Sequence, residues 1–298
     1  MISLCVIKEK VLSISQLHAL PSVALKVLEL VDDPKTSTST LGKLIATDQA
    51  LTAKVLKIAN SPFYGFPKRI STVEFAIIVL GYDALKDIII GTSLVSSLQE
   101  DPGGPLNTRA IWDHAFASGV LARCLARDLG YRICGEAFVG GLLHDIGISA
   151  LRQHYSDEYQ RIIGITRETD LTFPEAEESV LGVTHMEAGG WLAERWNLPD
   201  HLVEAVALHH TPAKAVRNPD LAALIHCADA LAYRIPGMDV ACDKGVEFDP
   251  EALNRLQIND PAKLKEYVAG YAAPDQDDLA RFAQSDIELP EGIRKHER

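Results

Sequence analysis

The sequence predicts an all-α protein of two helical lobes, and three observations support this class. Apolar residues recur at helical spacing along most of the chain, as Val23, Val27 and Val31 do on one helix face. No run of strand length alternates apolar and polar residues. The stretch DPGGP at residues 101–105 is the strongest break in the chain, and we place the boundary between the lobes there.

The first lobe, residues 13–100, is predicted as a series of short helices with clear start and end signals. These signals are Pro21 and Pro34 for the first helix, Ser37 or Thr38 for the second, Asp48 and Asn60 for the third, and Ser71 and Gly81 for the fourth. A fifth helix is predicted over residues 83–98.

The second lobe, residues 106–235, is also predicted as helices, most of them bounded by Gly, Pro or short polar turns. The predicted helices cover residues 109–129, 134–151, 155–169, 174–182, 185–196, 199–210 and 219–235. Residues 236–298 are predicted as a C-terminal helical extension with short helices at 250–256 and 260–271. A charged tail begins at Asp275.

Composition excludes several classes of protein. Asp and Glu number 41 against 29 Lys and Arg, which gives a net charge of −12 and argues against nucleic-acid binding. The 5 cysteines form no C-x-x-C pair, as expected for reduced core thiols. The best apolar stretch, residues 88–98, is too short to span a membrane and contains polar residues. The N-terminus lacks the pattern of a signal peptide, so we expect a soluble, cytoplasmic protein.

The placement of the histidines is the most informative feature. His144 and Asp145 lie within an apolar run, GGLLHDIG, that is predicted to be helical. A buried His–Asp pair costs desolvation energy unless something pairs with it, and a metal ion would compensate.

Other candidate ligands lie on separate predicted helices, and helical bundles build metal sites from facing helices. They are His114, His185, His209, His210 and Asp229. Taken singly, each residue has an explanation other than metal binding. Charged His209 and His210 would interact favourably with the dipole at a helix C-terminus, and Asp229 could pair with a cation from another helix. A His and carboxylate set without Cys suits one or two ions of Fe, Mn, Zn or Ni. We expect the remaining histidines to be structural or exposed: His18, His154, His201, His226 and His296.

The order His…His-Asp…His…His-His…Asp resembles the HD superfamily of metal-dependent phosphohydrolases, and more specifically the HDOD domain of bacterial signalling proteins. The resemblance covers residues 13–235. The segments that carry it are LPSVAL at 20–25, IANSPFYG at 58–65, RISTV at 69–73, AIIVLG at 76–81, GLLHDIG at 141–147 and WNLP at 196–199.

The resemblance implies a set of metal ligands. One ion would be held by His114, His144, Asp145 and Asp229, and Asp145 would bridge to a second ion held by His185, His209 and His210. Two such ions activate a water and clamp a phosphoryl group in catalytic relatives.

Three departures from the catalytic relatives favour a non-catalytic protein. Ile148 stands where many relatives have a Lys after the His-Asp motif, no Gly-Tyr-Pro follows His210, and Ala110 replaces a Glu of some relatives. HDOD domains are regarded as output modules, so we expect a signalling module that acts through a partner protein. The alternative is a metal-dependent phosphohydrolase or phosphodiesterase acting on a (cyclic) nucleotide.

Surface contacts are predicted for each hypothesis. A partner would meet an aromatic and basic patch, and a substrate phosphate would meet cations. The patch is Phe63, Tyr64, Phe66, Lys68 and Arg69, and the cations are Lys54, Lys57 and Arg69. The helix pair over residues 41–60 has helix-turn-helix-like spacing, but the acidic charge opposes binding of nucleic acid.

Overall fold

The structure is a computed structural model, and the part of the chain that it describes consists of helices and connecting turns. The described residues are 3–13, 22–31, 33, 35–48, 51–52, 55–56, 59, 70–82, 85–86, 88–89, 108–196, 198–235, 246–262 and 264. No β-strand occurs among them, which confirms the predicted all-α class. None of the described helices is both long and apolar enough to cross a bilayer.

The bounded helices agree with most of the predicted ones to within a few residues. In chain order they are α1 Leu4–Ser13, α2 Ser22–Val31, α3 Thr38–Ile45, α4 Val73–Leu80, α5 Thr108–Asp128, α6 Cys134–Leu143, α7 Ile146–His154, α8 Ser156–Glu168, α9 Phe173–Leu181, α10 His185–Arg195, α11 Asp200–Leu208, α12 Pro219–Ala232 and α13 Pro250–Arg255. They fall into two compact units: α2 to α4 form one, and α1 with α5 to α13 forms the other. The predicted boundary at 101–105 and the tail from Asp275 lie outside the described residues.

The unit of α2 to α4 has helix caps that the sequence predicts closely. The Ser37 side chain accepts a hydrogen bond from the N–H of Thr40 at the start of α3 (3.1 Å). For α4 the predicted cap, Ser71, is wrong by one residue. Thr72 accepts from the N–H of Phe75 instead (3.3 Å), because a capping hydroxyl reaches the N–H three residues further on.

Helix α1 belongs to the second unit and was not predicted, since no helix was expected before residue 13. Its Ile7 and Val11, four residues apart, are fully buried and make one apolar face. Lys8 Nζ lies 5.1 Å from the centre of the Trp191 ring, and Lys10 Nζ lies 4.9 Å from that of Tyr155. Helix α1 therefore packs on α7 and α10, the helices that begin beside two of the predicted ligands.

Helices α5 and α6 approach closely because glycines face each other. A Cβ added to Gly141 would lie 2.8 Å from the Cα of Gly119 and 2.7 Å from the Ser118 carbonyl oxygen. A Cβ on Gly119 would lie 2.9 Å from the Phe138 carbonyl oxygen. No side chain larger than hydrogen fits this crossing, which brings His114 on α5 near the end of α6.

One predicted helix, residues 134–151, is two helices in the structure. Helix α6 ends at Leu143 and α7 begins at Ile146. Asp145 has φ −96° and ψ 13°, outside the helical region, and its carbonyl accepts the N–H of Ile148 (3.0 Å). His144 and Asp145 therefore lie in a turn between helices rather than inside one. Neither a proline nor a polar cluster signals the break.

A carboxylate clamp fixes the loop that follows the two adjacent histidines. Glu204 on α11 accepts hydrogen bonds from the backbone N–H groups of Val216, Arg217 and Asn218 at 2.9, 2.7 and 3.1 Å. Partial burial alone would raise the pKa of Glu204, but these hydrogen bonds lower it from its ordinary 4.5. The clamp therefore contributes stability at neutral pH, and that contribution disappears as the pH falls from 4.5 through the lowered value.

We expect Glu204→Gln to lower the free energy of unfolding by about 1–3 kcal/mol at pH 7, because the loop loses charge-assisted hydrogen bonds. The measurement is urea denaturation at several pH values. The difference from the wild type should shrink as the pH falls below 4.5. Glu194→Gln, an exposed change on α10, is the control. A Glu204→Gln protein as stable as this control at pH 7 would contradict the clamp.

Candidate metal centre

In each of three buried histidines, the Nδ1 atom of the ring is held in a hydrogen bond. The Nδ1–H of His144 donates to the Gly141 carbonyl (2.7 Å), and that of His209 donates to the Val206 carbonyl (2.7 Å). His185 Nδ1 lies 2.6 Å from Oε2 of Glu177. A carbonyl can only accept, and so can an ionised carboxylate, so Nδ1 carries the proton in each ring. Each Nε2 then keeps its lone pair when the ring is neutral.

These three Nε2 atoms, together with Nε2 of His114, surround the carboxylate of Asp145. Oδ1 lies 3.5 Å from His185 Nε2 and 3.6 Å from His209 Nε2. Oδ2 lies 3.3 Å from His144 Nε2 and 3.9 Å from His114 Nε2. Asp145 therefore offers one oxygen to each of two histidine pairs. His144 and Asp145 both lie in the turn between α6 and α7, and this turn places the two side chains together in the cluster.

Asp229 on α12 completes the side of the cluster that faces α5. Its Oδ1 lies 2.9 Å from His114 Nε2 and 3.3 Å from His144 Nε2. Its Oδ2 lies 4.0 Å from Nδ1 of His210, the ligand candidate with some exposure. Nδ1 of His114 has no hydrogen-bond partner among the described residues, whereas its Nε2 faces a carboxylate oxygen that can only accept, so the proton of the metal-free ring lies on Nε2.

The electrostatics favour a positive charge at the centre. Burial alone would lower the pKa of His144, but Asp145 and Asp229 raise it well above its usual range. Burial opposes ionisation of both carboxyls, yet the surrounding histidines lower the pKa of Asp145 and of Asp229. Burial, followed by the neighbouring imidazoles, lowers the pKa of His209. Two buried carboxylates, whose described ion pairs are all with histidines, therefore stabilise positive charge at this centre, either on an imidazole or on a bound cation.

The seven predicted ligands are all brought together, and their chemistry fits a divalent metal. Three overlapping groups have ligand atoms within 4.8 Å of one another: His185, His209 and His210; His114, His144 and Asp229; and His144, Asp145 and His209. When both rings are neutral, the Nε2 atoms of His185 and His209, 3.2 Å apart, both carry lone pairs and neither can donate to the other. A cation between such atoms would remove the repulsion, and imidazole with carboxylate suits transition metals.

Two buried residues that support the ligands were missed as functional residues by sequence reasoning. Glu177 holds His185, as described above, and its signal is a glutamate on the apolar face of α9. His226 was expected only to be structural or exposed, and nothing in the sequence indicates that it supports the backbone of His209. Its Nδ1–H donates to the carbonyl of His209 (2.8 Å), and its Nε2 accepts the N–H of Asp249 (2.8 Å).

Two other histidines that were predicted to be structural or exposed are described, and both lie outside the cluster. His201 is half-buried and lies 3.4 Å from Glu136, away from the seven ligands. His154, at the end of α7, is also outside the cluster. The predicted partner patch, the three predicted phosphate-binding cations, His18 and His296 lie outside the described residues.

Comparison with known proteins identifies the family. A family model for the HDOD domain matches residues 17–212, more than half of the chain. The chain belongs to the HDOD family. This HDOD chain is 27% identical over 201 residues to an uncharacterized protein of Treponema pallidum (strain Nichols). The match covers 66% of this chain and 38% of that relative, so the chain spans well under half of its length.

Solved structures share the fold of this HDOD chain. An HDOD domain protein of unknown function from Geobacter sulfurreducens is 26% identical, with a TM-score of 0.65 over 88% of this chain and 86% of that one. A candidate phosphohydrolase from Shewanella amazonensis SB2B is 21% identical, with a TM-score of 0.64 over 89% and 92%. A candidate signal transduction protein from Marinobacter aquaeolei VT8 is 24% identical, with a TM-score of 0.64 over 89% and 57%.

Proposed function

We propose that this HDOD chain is a metal-binding signalling module. It holds one or two divalent transition-metal ions, of Fe, Mn, Zn or Ni, and acts through a protein partner. The observation that carries the metal proposal is the geometry of His144, His185 and His209. Each has Nδ1 committed to a hydrogen bond, and each turns Nε2 towards Asp145. Second hydrogen bonds of this kind fix the tautomer of metal-binding histidines.

A non-catalytic role is supported by what surrounds the ligands. Ile148, where many catalytic relatives have a Lys, is 1% exposed and packs in the core, so it offers no charge to a phosphate. The resemblance to HDOD domains implies an output module of bacterial signalling proteins, and such a module would act through another protein. We therefore propose a protein partner whose binding depends on the metal.

The metal proposal is tested by elemental analysis of protein purified without chelator. We expect about one or two transition-metal equivalents per chain in the wild type. His144→Ala should lose metal, because it removes a ligand from two of the three groups. His201→Ala, a half-exposed histidine outside the cluster, should keep the wild-type content. A wild type without metal, or a His144→Ala protein with full metal, would refute the site.

The partner proposal is tested by purifying the tagged chain from its source cells with and without a chelator. We expect one protein to copurify at a constant ratio with the wild type and to be released by the chelator. The His144→Ala variant should not retain it. Copurification that is the same for the wild type, the variant and the chelated protein would contradict a metal-dependent output.

A second candidate function is hydrolysis of a phosphoester in a (cyclic) nucleotide. The observation that favours it is the division of the Asp145 oxygens between two histidine pairs, the arrangement expected of a carboxylate shared by two ions. Two bound ions would supply an activated water and neutralise the phosphoryl oxygens. Nucleotides and cyclic dinucleotides left intact by Mn- or Fe-loaded protein under anaerobic conditions would eliminate this function.

A further inference from the structure

Glu177 is a buried carboxylate that packing does not explain. It lies on α9 among the buried apolar residues Phe173, Ala176 and Leu181, and its own exposure is 0%. Glutamates are almost never fully buried unless they are paired. An apolar residue of similar size would pack at this position without any cost of desolvation.

The contacts of Glu177 are directed at His185. Oε2 accepts the backbone N–H of His185 (2.8 Å) and lies 2.6 Å from Nδ1 of the same residue. Oε1 accepts the hydroxyl of Tyr159 on α8 (2.6 Å). The carboxylate therefore has both oxygens occupied, and its described ion pair is with His185 alone. The Tyr159 hydrogen bond fixes the rotation of the carboxylate relative to the imidazole.

His185 is supported differently from the other two histidines of fixed tautomer. His144 and His209 donate to neutral backbone carbonyls, whereas His185 donates to a carboxylate. A charged acceptor holds Nδ1–H more strongly and makes Nε2 a stronger electron donor. Nε2 is the atom that faces Asp145 Oδ1 and His209.

We propose that Glu177, oriented by Tyr159, is a positioning residue that fixes the Nδ1–H tautomer of His185 and strengthens metal binding at its Nε2. The inference rests on the proposed metal function and names a residue outside the ligand set. Glu177 itself touches no metal; it acts through His185.

Two measurements on the full chain test this role. Glu177→Gln keeps the shape of the side chain and removes its charge. Glu178→Gln makes the same change one residue away on the exposed face of α9 and is the control. Long-range ¹H–¹⁵N spectra of metal-free protein report the tautomer of His185. Competition of the protein with a chelator for Zn²⁺ or Mn²⁺ reports affinity.

We expect the metal-free wild type and the control to show His185 with the proton on Nδ1. Glu177→Gln still offers an amide oxygen to this proton and should keep the tautomer, whereas Glu177→Leu offers no acceptor and should show a mixture. Metal affinity should fall about 10- to 100-fold in Glu177→Gln, the range for removal of such outer partners. It should be unchanged in Glu178→Gln. A Tyr159→Phe protein, which keeps the carboxylate, should lose affinity by about three- to tenfold.

The outcomes separate the positioning role from the metal function. A Glu177→Leu protein with the wild-type tautomer, or a Glu177→Gln protein with the wild-type affinity, overturns the positioning role. If these variants fail to fold, unchanged affinity in Tyr159→Phe overturns it instead. A wild type that binds no metal refutes the proposed function, while the tautomer spectrum of the metal-free protein still decides whether Glu177 controls His185.

Discussion

Gly147→Ala should destabilise the protein by about 3 kcal/mol, the upper part of the range for overpacking, and should remove the bound metal. An added Cβ would lie 1.9 Å from the carbonyl oxygen of His185 and 2.7 Å from the backbone nitrogen of Gly189. Both atoms belong to the backbone of α10 and cannot rotate away. Helices α7 and α10 must therefore separate, and Asp145 then moves away from His185.

Urea denaturation and elemental analysis measure the two effects of Gly147→Ala. The matched control is Gly164→Ala on α8, where an added Cβ meets no atom within 4 Å. Because Ala favours helix over Gly, this control should gain up to about 1 kcal/mol and keep its metal. If Gly147→Ala is as stable and as rich in metal as the wild type, the close contact of α7 with α10 does not set the site.

In a protein that holds two ions, Asp145→Asn should abolish binding of both, whereas Asp229→Asn should leave one. Asp145 presents Oδ1 to His185 and His209 and Oδ2 to His144. Asp229 Oδ1 contacts the His114 and His144 side. Replacement of an anionic oxygen by an amide removes a ligand that a divalent cation strongly prefers. Only the Asp145 change touches both halves of the cluster.

Titration of each variant with Mn²⁺ or Zn²⁺, followed by elemental analysis after dialysis, counts the ions retained. Asp157→Asn, at an exposed position on α8, is the control and should behave as the wild type. Equal loss in the Asp145 and Asp229 variants would contradict the division of the site into two halves, as would an Asp145→Asn protein that retains one ion.

The sequence was sufficient to predict the helical class, because apolar periodicity reflects burial along each helix separately. It was also sufficient to select the side chains that converge, since histidines and aspartates in apolar segments are costly to bury alone. His144 and Asp145 were selected for that reason, and the structure places both in the cluster.

Four features could not be predicted because they depend on contacts between distant segments. The turn at Asp145 has no local signal; Gly147 becomes essential only where α7 meets the carbonyl of His185. Helix α1 is stabilised by packing of Ile7 and Val11 on other helices rather than by its own pattern. The role of Glu177 appears only when Tyr159 and His185 are seen on either side of it.

The hydrogen bonds of His226 determine how far a truncated or chimaeric form of this domain must extend to keep the metal centre. The family match ends at residue 212, but Asp229 and the support of His209 come from α12, and Asp249 beyond it closes the same chain of contacts. A fragment cut at the family limit would keep six of the seven ligand candidates and lack the carboxylate of Asp229. Recombinant versions and chimaeras therefore need to extend past α13 to preserve this centre.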